Sequence, residues 1–471
     1  MSIVTRGVSG AGRQLRPGAI NIKSVEISNY RRGDLNDAQA RRQGSMKDIT
    51  RIIAKLSIIE DIRSPTLKLK LGIKDATGFA ETFPIVGQEI IKITTRESSA
   101  FNEEVVEKVM TFYVTNYPNF GKSHTNENIS AYTIEGISKH AYISGFKKIS
   151  RSYNNPSSAE ILNIFMNDLD FPLEKINLFF EEDISKSKGV INIQSPLKAA
   201  DFFRKAAYDS TGSPFFLFET LDGVINFISL KRMISESSMG EYKEVRGFNS
   251  IPETEQEFNE QKHRIINITS NLNLSGYKKG RAGAFSSENN YLDWSNKSYN
   301  TFNYNYMTDL DEETTLEDNK IISSDFKISD QGANKALNEL PSAAIHYIAK
   351  NDESFTGLNN YGSTVSKQYH KLKAHSALLS THNHVLTLIG DTKLNAGKVI
   401  DILIPSSIEP ANRTSVGMTD APEADPNLSG KYLITTVIHK IENGKYFSTV
   451  QVVRDSFSIS LGSSTTRGTL V

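Results

Sequence analysis

Apolar and polar residues alternate most regularly over Thr66–Asp75, where Leu67, Leu69, Leu71 and Ile73 share one face and Lys68, Lys70 and Lys74 the other. A period of two with one apolar and one charged face predicts a strand buried on one side and wet on the other. Outward lysines also suit a sheet edge, where they discourage unwanted pairing. Apolar runs recur at Ile58–Ile62, Val86–Thr95, Thr111–Thr115 and Ala131–Ile137, punctuated by Pro65, Gly78 and Pro84. Many short strands at this spacing predict an antiparallel barrel or sandwich.

Near residue 150 the period changes. Ser157 with Glu160 three residues on reads as a capping box, and Ile161, Leu162, Phe165 and Leu169 keep helical spacing. Ser195-Pro196 opens a second helix, with Ala199, Phe202, Phe203 and Ala206 as its apolar stripe. Behind it, Phe215–Leu221 and Val224–Leu230 flank Asp222-Gly223, which predicts a hairpin with a two-residue turn, covered by the two helices. From about residue 276 to 330 Asn, Ser and Tyr dominate, with an acidic stretch Asp309–Asp318, and no period stands out. A helix is predicted over Ser366–Thr381, then strands over His384–Ile389 and Gly397–Pro405, and a Pro/Asn/Asp-rich loop to Asn427. In the final hairpin Tyr432, Ile434, Thr436 and Ile438 alternate, Asn443-Gly444 supplies the turn, and Tyr446, Ser448, Val450 and Val452 return. The chain reads as β unit, α+β unit, β unit.

Composition narrows the function. At 471 residues the chain has room for about three domains. Hydrophobic residues at 38% and charged residues at 23% place it among globular proteins. The 54 Lys+Arg cancel the 54 Asp+Glu, which argues against a surface devoted to nucleic acid. With no cysteine, disulfides, thiolate nucleophiles and Cys-based zinc sites are excluded. No apolar run approaches the roughly 18–20 residues a membrane span needs. The first 20 residues lack the apolar core of a signal peptide and read as a flexible Gly/Arg-rich arm.

Candidate chemistry is sparse. Four of the nine histidines, His370, His375, His382 and His384, cluster in sequence, and imidazole pairs bind zinc or copper. No Asp or Glu lies among them, so solvated or core histidines are the better reading. Glu219 and Asp222 could pose as a glycosidase carboxylate pair, but Asp222 sits where turn geometry demands Asp. Glu181, Glu182 and Asp183 form a plain acidic run. No phosphate-binding loop, nucleophile elbow or metalloprotease motif is present. No catalytic, metal or cofactor residue is therefore assigned, and the chain is expected not to be an enzyme.

Four stretches in order carry a family resemblance. They are TLKLKLGIKD…FPIVGQEIIKI from Thr66 to Ile93, IQSPLKAADFFRKAA, SPFFLFETLDGVINFISL, and LIGDTKLNAGKVIDILIP followed by LSGKYLITTVIHKIENGKYFSTVQVVRDS. Together, over residues 50–245 and 365–458, the chain resembles the baseplate hub protein of contractile-tailed bacteriophages and related contractile injection systems. The resemblance implies an α+β, mainly β fold: two tube-type antiparallel β-barrels with an intervening α+β domain and a long insertion. On this reading residues 1–20 are an arm, 21–148 the first barrel and 149–245 the α+β domain. Residues 246–275 with 366–460 form the second barrel, 276–365 the insertion and 461–471 a tail.

The implied function is structural. A homotrimer would present six barrels as a pseudo-sixfold ring, joining a hexameric tail tube to a trimeric central spike and enclosing an axial channel for DNA. Its other neighbours would be baseplate wedge proteins, and its place the virion tail baseplate after assembly in the host cytoplasm. A tailocin or injection-system hub that passes no genome fits the same residues. A tail-tip cell-wall hydrolase would have to use the insertion, which holds Glu288, Asp309, Asp311, Glu312 and Glu317. A carbohydrate-binding protein would use the Tyr-rich stretch Tyr291–Tyr306 with Trp294. An inter-subunit role for those tyrosines is favoured.

Overall fold

The computed structural model describes residues 18, 20–29, 45–98, 105–118, 121–122, 129–154, 156–180, 182–185, 188–244, 254–293, 297–310, 315–340, 345–349, 364–406, 424–425, 427–442 and 444–458. The predicted arm except residues 18 and 20, the C-terminal tail, Trp294, Asp311, Glu312, Glu181 and Asn443 lie outside them.

The first unit holds β1 Asn21–Asn29, β2 Met46–Asp48, β3 Ile53–Asp61, β4 Lys68–Asp75, β5 Glu89–Ser98, β6 Val105–Asn116, β7 Gly121–Lys122 and β8 Ser130–Ile137; β3, β4, β5, β6 and β8 fall on the predicted runs, and β1, β2 and β7 lie outside them. On β4, Leu69, Leu71 and Ile73 are buried and the three lysines exposed. Yet β4 is no edge: β3 and β8 flank it, and Lys70 pairs with Glu135 of β8 at 3.0 Å. A single 3-10 turn, Thr50–Ile52, separates β2 from β3, so the two are one course of chain. That course pairs first with β1 and then with β4. It thereby completes a ring of strands in the order β1, β2/β3, β4, β8, β6, β5 and back to β1. Ile27, Leu56, Leu71, Ile91, Phe112 and Ile134 fill its core.

A mixed unit follows, with β9 Ile149–Asn154, β10 Ile176–Leu178, β11 Lys188–Gln194, β12 Phe215–Glu219 and β13 Ile225–Ser229. The helix Ser158–Asp168 starts on the expected Ser157/Glu160 capping box, and the helix Pro196–Ala206 carries its proline in the first turn. Ala199 and Phe203 enter the core, but Phe202 is 49% exposed, one position off the buried stripe. The β12–β13 turn is also longer than predicted. Gly223, at φ 70°, donates to Thr220 O at 2.8 Å, giving a loop in which only the glycine adopts the left-handed conformation.

A second ring is built from β14 Glu241–Glu244, β15 Arg264–Leu272, β21 His382–Ile389, β22 Val399–Leu403, β23 Gly430–Glu442 and β24 Lys445–Arg454. Its order is β14, β15, β21, β24, β23, β22 and back to β14. Numbered one to six along the chain, the strands of both rings follow one circuit, 1-2-3-6-5-4. The first strand differs in direction: β1 is antiparallel to its neighbours, β14 parallel. Parallel pairing needs a crossover, and the connection from β14 to β15 contains the helix Glu255–Lys262. The rings join through β3 and β23, antiparallel from Asp61↔Thr436 to Lys55↔Glu442, so one sheet runs through both.

The predicted phase of β23 fails after its first half. A register shift between Ile434 and Thr436 turns the later residues over, and Val437, His439 and Ile441 are buried in place of Thr436 and Ile438. On β24, Tyr446, Ser448, Val450 and Val452 are buried as predicted.

Between β15 and β21 lies the polar stretch in which the sequence shows no period. It holds β16 Ser286–Asp293, β17 Ser298–Asn305, β18 Lys327–Asp330, β19 Ala333–Ala336 and β20 Ile345–Ala349. Its small core, with Phe285, Tyr304, Tyr306 and Leu310, packs on Ala374 and Leu378 of the helix Thr364–Leu378. Glu317 ties the stretch to the second ring by accepting from Lys431 N at 2.7 Å.

Candidate junction of the two rings

The polar chemistry that joins distant parts of the chain is concentrated where the two rings meet the β12–β13 hairpin. Glu60, near the end of β3, is 0% exposed. Its Oε1 accepts from Leu221 N of the hairpin loop at 2.8 Å and lies 3.2 Å from His439 Nε2 on β23. Its Oε2 accepts from Ala396 N, in the β21–β22 connection, at 2.9 Å. One carboxylate thus holds all three units. Buried charges survive only with such partners.

Glu219, at the end of β12, binds the first ring. It accepts from Leu67 N at 2.9 Å and from Ser138 Oγ, with His140 Nε2 at 3.7 Å. Burial pushes its carboxyl above the usual range, against the opposing pull of His140, Ser138 and Leu67 N. Asp222 at the hairpin tip pairs with Lys108 of β6 at 2.7 Å and accepts from Asn395 Nδ2 at 3.1 Å. Lys108 also donates to Thr392 O at 2.8 Å. Glu219 and Asp222 are therefore fastenings with separate partners, a different role from that of a glycosidase pair. Apolar packing follows the same plan, since Leu221, Ile441 and Tyr446 enter the core of the first ring. At Gly397 (φ 85°) a Cβ would lie 2.6 Å from Phe218 Cζ, so glycine lets the β22 connection press onto the hairpin.

The four candidate histidines divide between two places. His370 bonds Ser287 Oγ at 2.7 Å, and His375 is buried on the same helix. His382 and His384 share the inward face of β21, with ring centroids 6.5 Å apart. His384 bonds Ser270 Oγ at 2.8 Å and Tyr432 OH at 3.0 Å. His382 Nδ1 accepts from Arg454 Nε at 3.0 Å. Among the described residues no three His, Asp or Glu side chains form a metal-holding group. The other acidic candidates are engaged locally: Glu182 with Arg232 at 2.8 Å, Asp183 with Ala159 N at 2.8 Å, Glu288 with Asn290 at 2.7 Å, and Asp309 with Asn305 N at 2.7 Å. Of the Tyr-rich stretch, Tyr304 and Tyr306 are buried and Tyr299 is exposed.

Burial first, and the nearby Arg454 cation second, hold His382 down at about 3 and His384 at about 4, from an ordinary 6.5. A histidine whose folded value is lowered binds fewer protons folded than unfolded, so its contribution is complete above pH 6.5. It is lost as pH falls from 6.5 toward 4. Near pH 5 each such group adds up to about 1.4 kcal/mol per pH unit to the slope of stability against pH. His384→Asn is expected to remove one such increment, checked by urea unfolding from pH 4.5 to 7.5. An unchanged slope would contradict the assignment.

No protein-family model and no curated protein matches the chain. Among solved structures it is similar to the tail protein of Neisseria meningitidis MC58, at TM-score 0.48 and 10% identity, covering 93% of this chain and 99% of that one. It is similar also to the 43 kDa tail protein of prophage MuSo2 from Shewanella oneidensis, at TM-score 0.48 and 12% identity, covering 93% and 100%. A type VI secretion system component of E. coli, described as structurally similar to bacteriophage T4 tail proteins, aligns at TM-score 0.40 and 8% identity over 86% and 74%.

Proposed function

We propose that this chain is the structural hub subunit of a contractile-tail baseplate, acting as a homotrimer between tail tube and central spike. The observation that carries the reading is the repeated circuit: two six-stranded rings of one strand order in one chain. A part that meets a sixfold tube on one side and a threefold spike on the other needs six similar modules from three chains. A closed ring of head-to-tail contacts provides them. The junction serves this role. Glu60, Glu219 and Asp222 fasten both rings to one hairpin, which fixes the angle between modules that a closed ring requires.

The α+β unit and the 276–365 stretch remain for contacts with spike and wedge proteins. The balance of 54 basic and 54 acidic residues suits a channel that DNA traverses without being held. The same geometry serves an injection-system hub. The expected oligomer has three times the 52.4 kDa chain mass by mass photometry, alone or with spike protein added. Monomer alone in both conditions would overturn the reading.

A further inference from the structure

The 276–365 insertion is joined to the second ring more loosely than the rings are to each other. None of its described strands enters the sheet that runs through both rings: β16, β17 and β20 form one small sheet, β18 and β19 another. Its core holds 8 buried residues, against 25 in the core of the second ring. Ser287, Asn289, Asn290, Asn338, His370 and His375 are buried around that core, and buried polar groups add little net stability even when bonded. A unit of this kind opens at a lower free energy than the rings that carry it.

Both stems of the insertion leave the ring at one place, because Asn273 N–H, after β15, donates to Thr381 O, before β21, at 2.9 Å. A separate strap, Leu316–Asn319, ties the unit down. Leu316 is the one insertion residue, among those described, that enters the core of the second ring. Its N–H donates to Asp455 Oδ1 at 3.0 Å, and Glu317 N–H donates to Ser456 Oγ at 2.7 Å. Glu317 Oε1 accepts from Lys431 N, and Asn319 and Phe457 exchange two backbone bonds at 3.1 and 2.8 Å. The ring makes room for the strap. At Gly430 a Cβ would lie 2.5 Å from Glu317 Oε1, an approach that glycine alone allows. The other ties are slighter: Lys279 Nζ donates to Thr381 Oγ1 at 2.5 Å beside the stems, and Lys371 Nζ reaches Thr211 O of the α+β unit at 3.5 Å, a long bond.

We infer that the strap Leu316–Asn319 is a latch, which lifts with the insertion in one step while both rings stay folded. Lifting uncovers the place that Leu316 fills in the ring core and frees the backbone of Phe457. The insertion then refits against a neighbouring protein without disturbing the fastenings between the rings. The device belongs to the single chain, so its test is independent of the trimer.

Hydrogen exchange of the full chain in dilute urea, followed by mass spectrometry, reads the latch. The amides of Leu316, Glu317 and Asn319, with those of Lys431 and Phe457, are expected to exchange together. They are expected to do so at least about a hundredfold faster than the amides in the middle of β23 and β24. Asn319→Cys with Phe457→Cys closes the strap, because directly opposed residues bring Cβ atoms within disulfide reach and the chain has no native cysteine. Oxidation is expected to slow strap exchange to the rate of the ring strands, and reduction to restore it. Glu317→Ala leaves residues 319 and 457 native and removes the acceptor of Lys431 N. It is expected to speed strap exchange by up to about tenfold. Val437→Ala, in the core of the second ring, is expected to speed exchange in the ring strands and leave the strap unchanged. Strap amides that exchange no faster than the ring strands, that ignore the disulfide, or that follow Val437→Ala would overturn the latch.

Discussion

Glu60→Ala is expected to lower the free energy of unfolding by about 4 kcal/mol, measured by urea denaturation. The substitution strands the buried N–H groups of Leu221 and Ala396 and removes the partner of His439 Nε2. Each buried N–H left unsatisfied costs about 1–3 kcal/mol. Three units lose their common fastening at once, so the effect extends beyond stability. The variant is expected to lose the proposed trimer before it unfolds, because the angle between rings is no longer fixed. A loss below about 1 kcal/mol, within the range of an ordinary surface change, would mean that packing alone holds the junction.

Arg454→Leu is expected to cost about 3 kcal/mol by the same measurement. Arg454 is the largest of the fully buried side chains. Its guanidinium donates to Ser429 O at 2.7 Å, to Asn427 O and to His382 Nδ1 at 3.0 Å, and lies 4.7 Å from the centre of the Tyr432 ring. Leucine fills part of the space but strands these acceptors, and the relief of desolvating a cation offsets only part of the loss. Arg454→Lys is expected to recover little, since an ammonium cannot reproduce the planar fork. Full recovery by lysine would show that charge rather than shape matters there.

What the sequence reveals here depends on the range of the interaction involved. Strands with one buried face are written locally, and β4, β8 and β24 lie where alternation places them. The Ser157 cap is equally local. Bulges are not: the register shift at Ile434/Thr436 arises as β23 changes neighbours from β22 to β3, and nothing near those residues announces it. The β16–β17 hairpin is hidden for another reason. Asn is a poor strand former, and cross-strand polar contacts such as Thr301 Oγ1 to Asn290 Oδ1 at 2.8 Å support it in place of an apolar stripe. The junction is the least legible part. Composition rules place glutamate at the surface, whereas Glu60 is satisfied by Leu221 and Ala396, far along the chain. The only local hint is its setting, Ile58-Ile59-Glu60-Asp61-Ile62, a charge enclosed by apolar residues.

End-on electron-microscopy averages of the purified assembly test the central claim most directly. Three chains, each carrying two rings of one strand order, are expected to show six similar lobes around one pore, with threefold symmetry emerging at higher detail. A single ring-forming module per chain around the pore, or two that do not share it, would contradict the account.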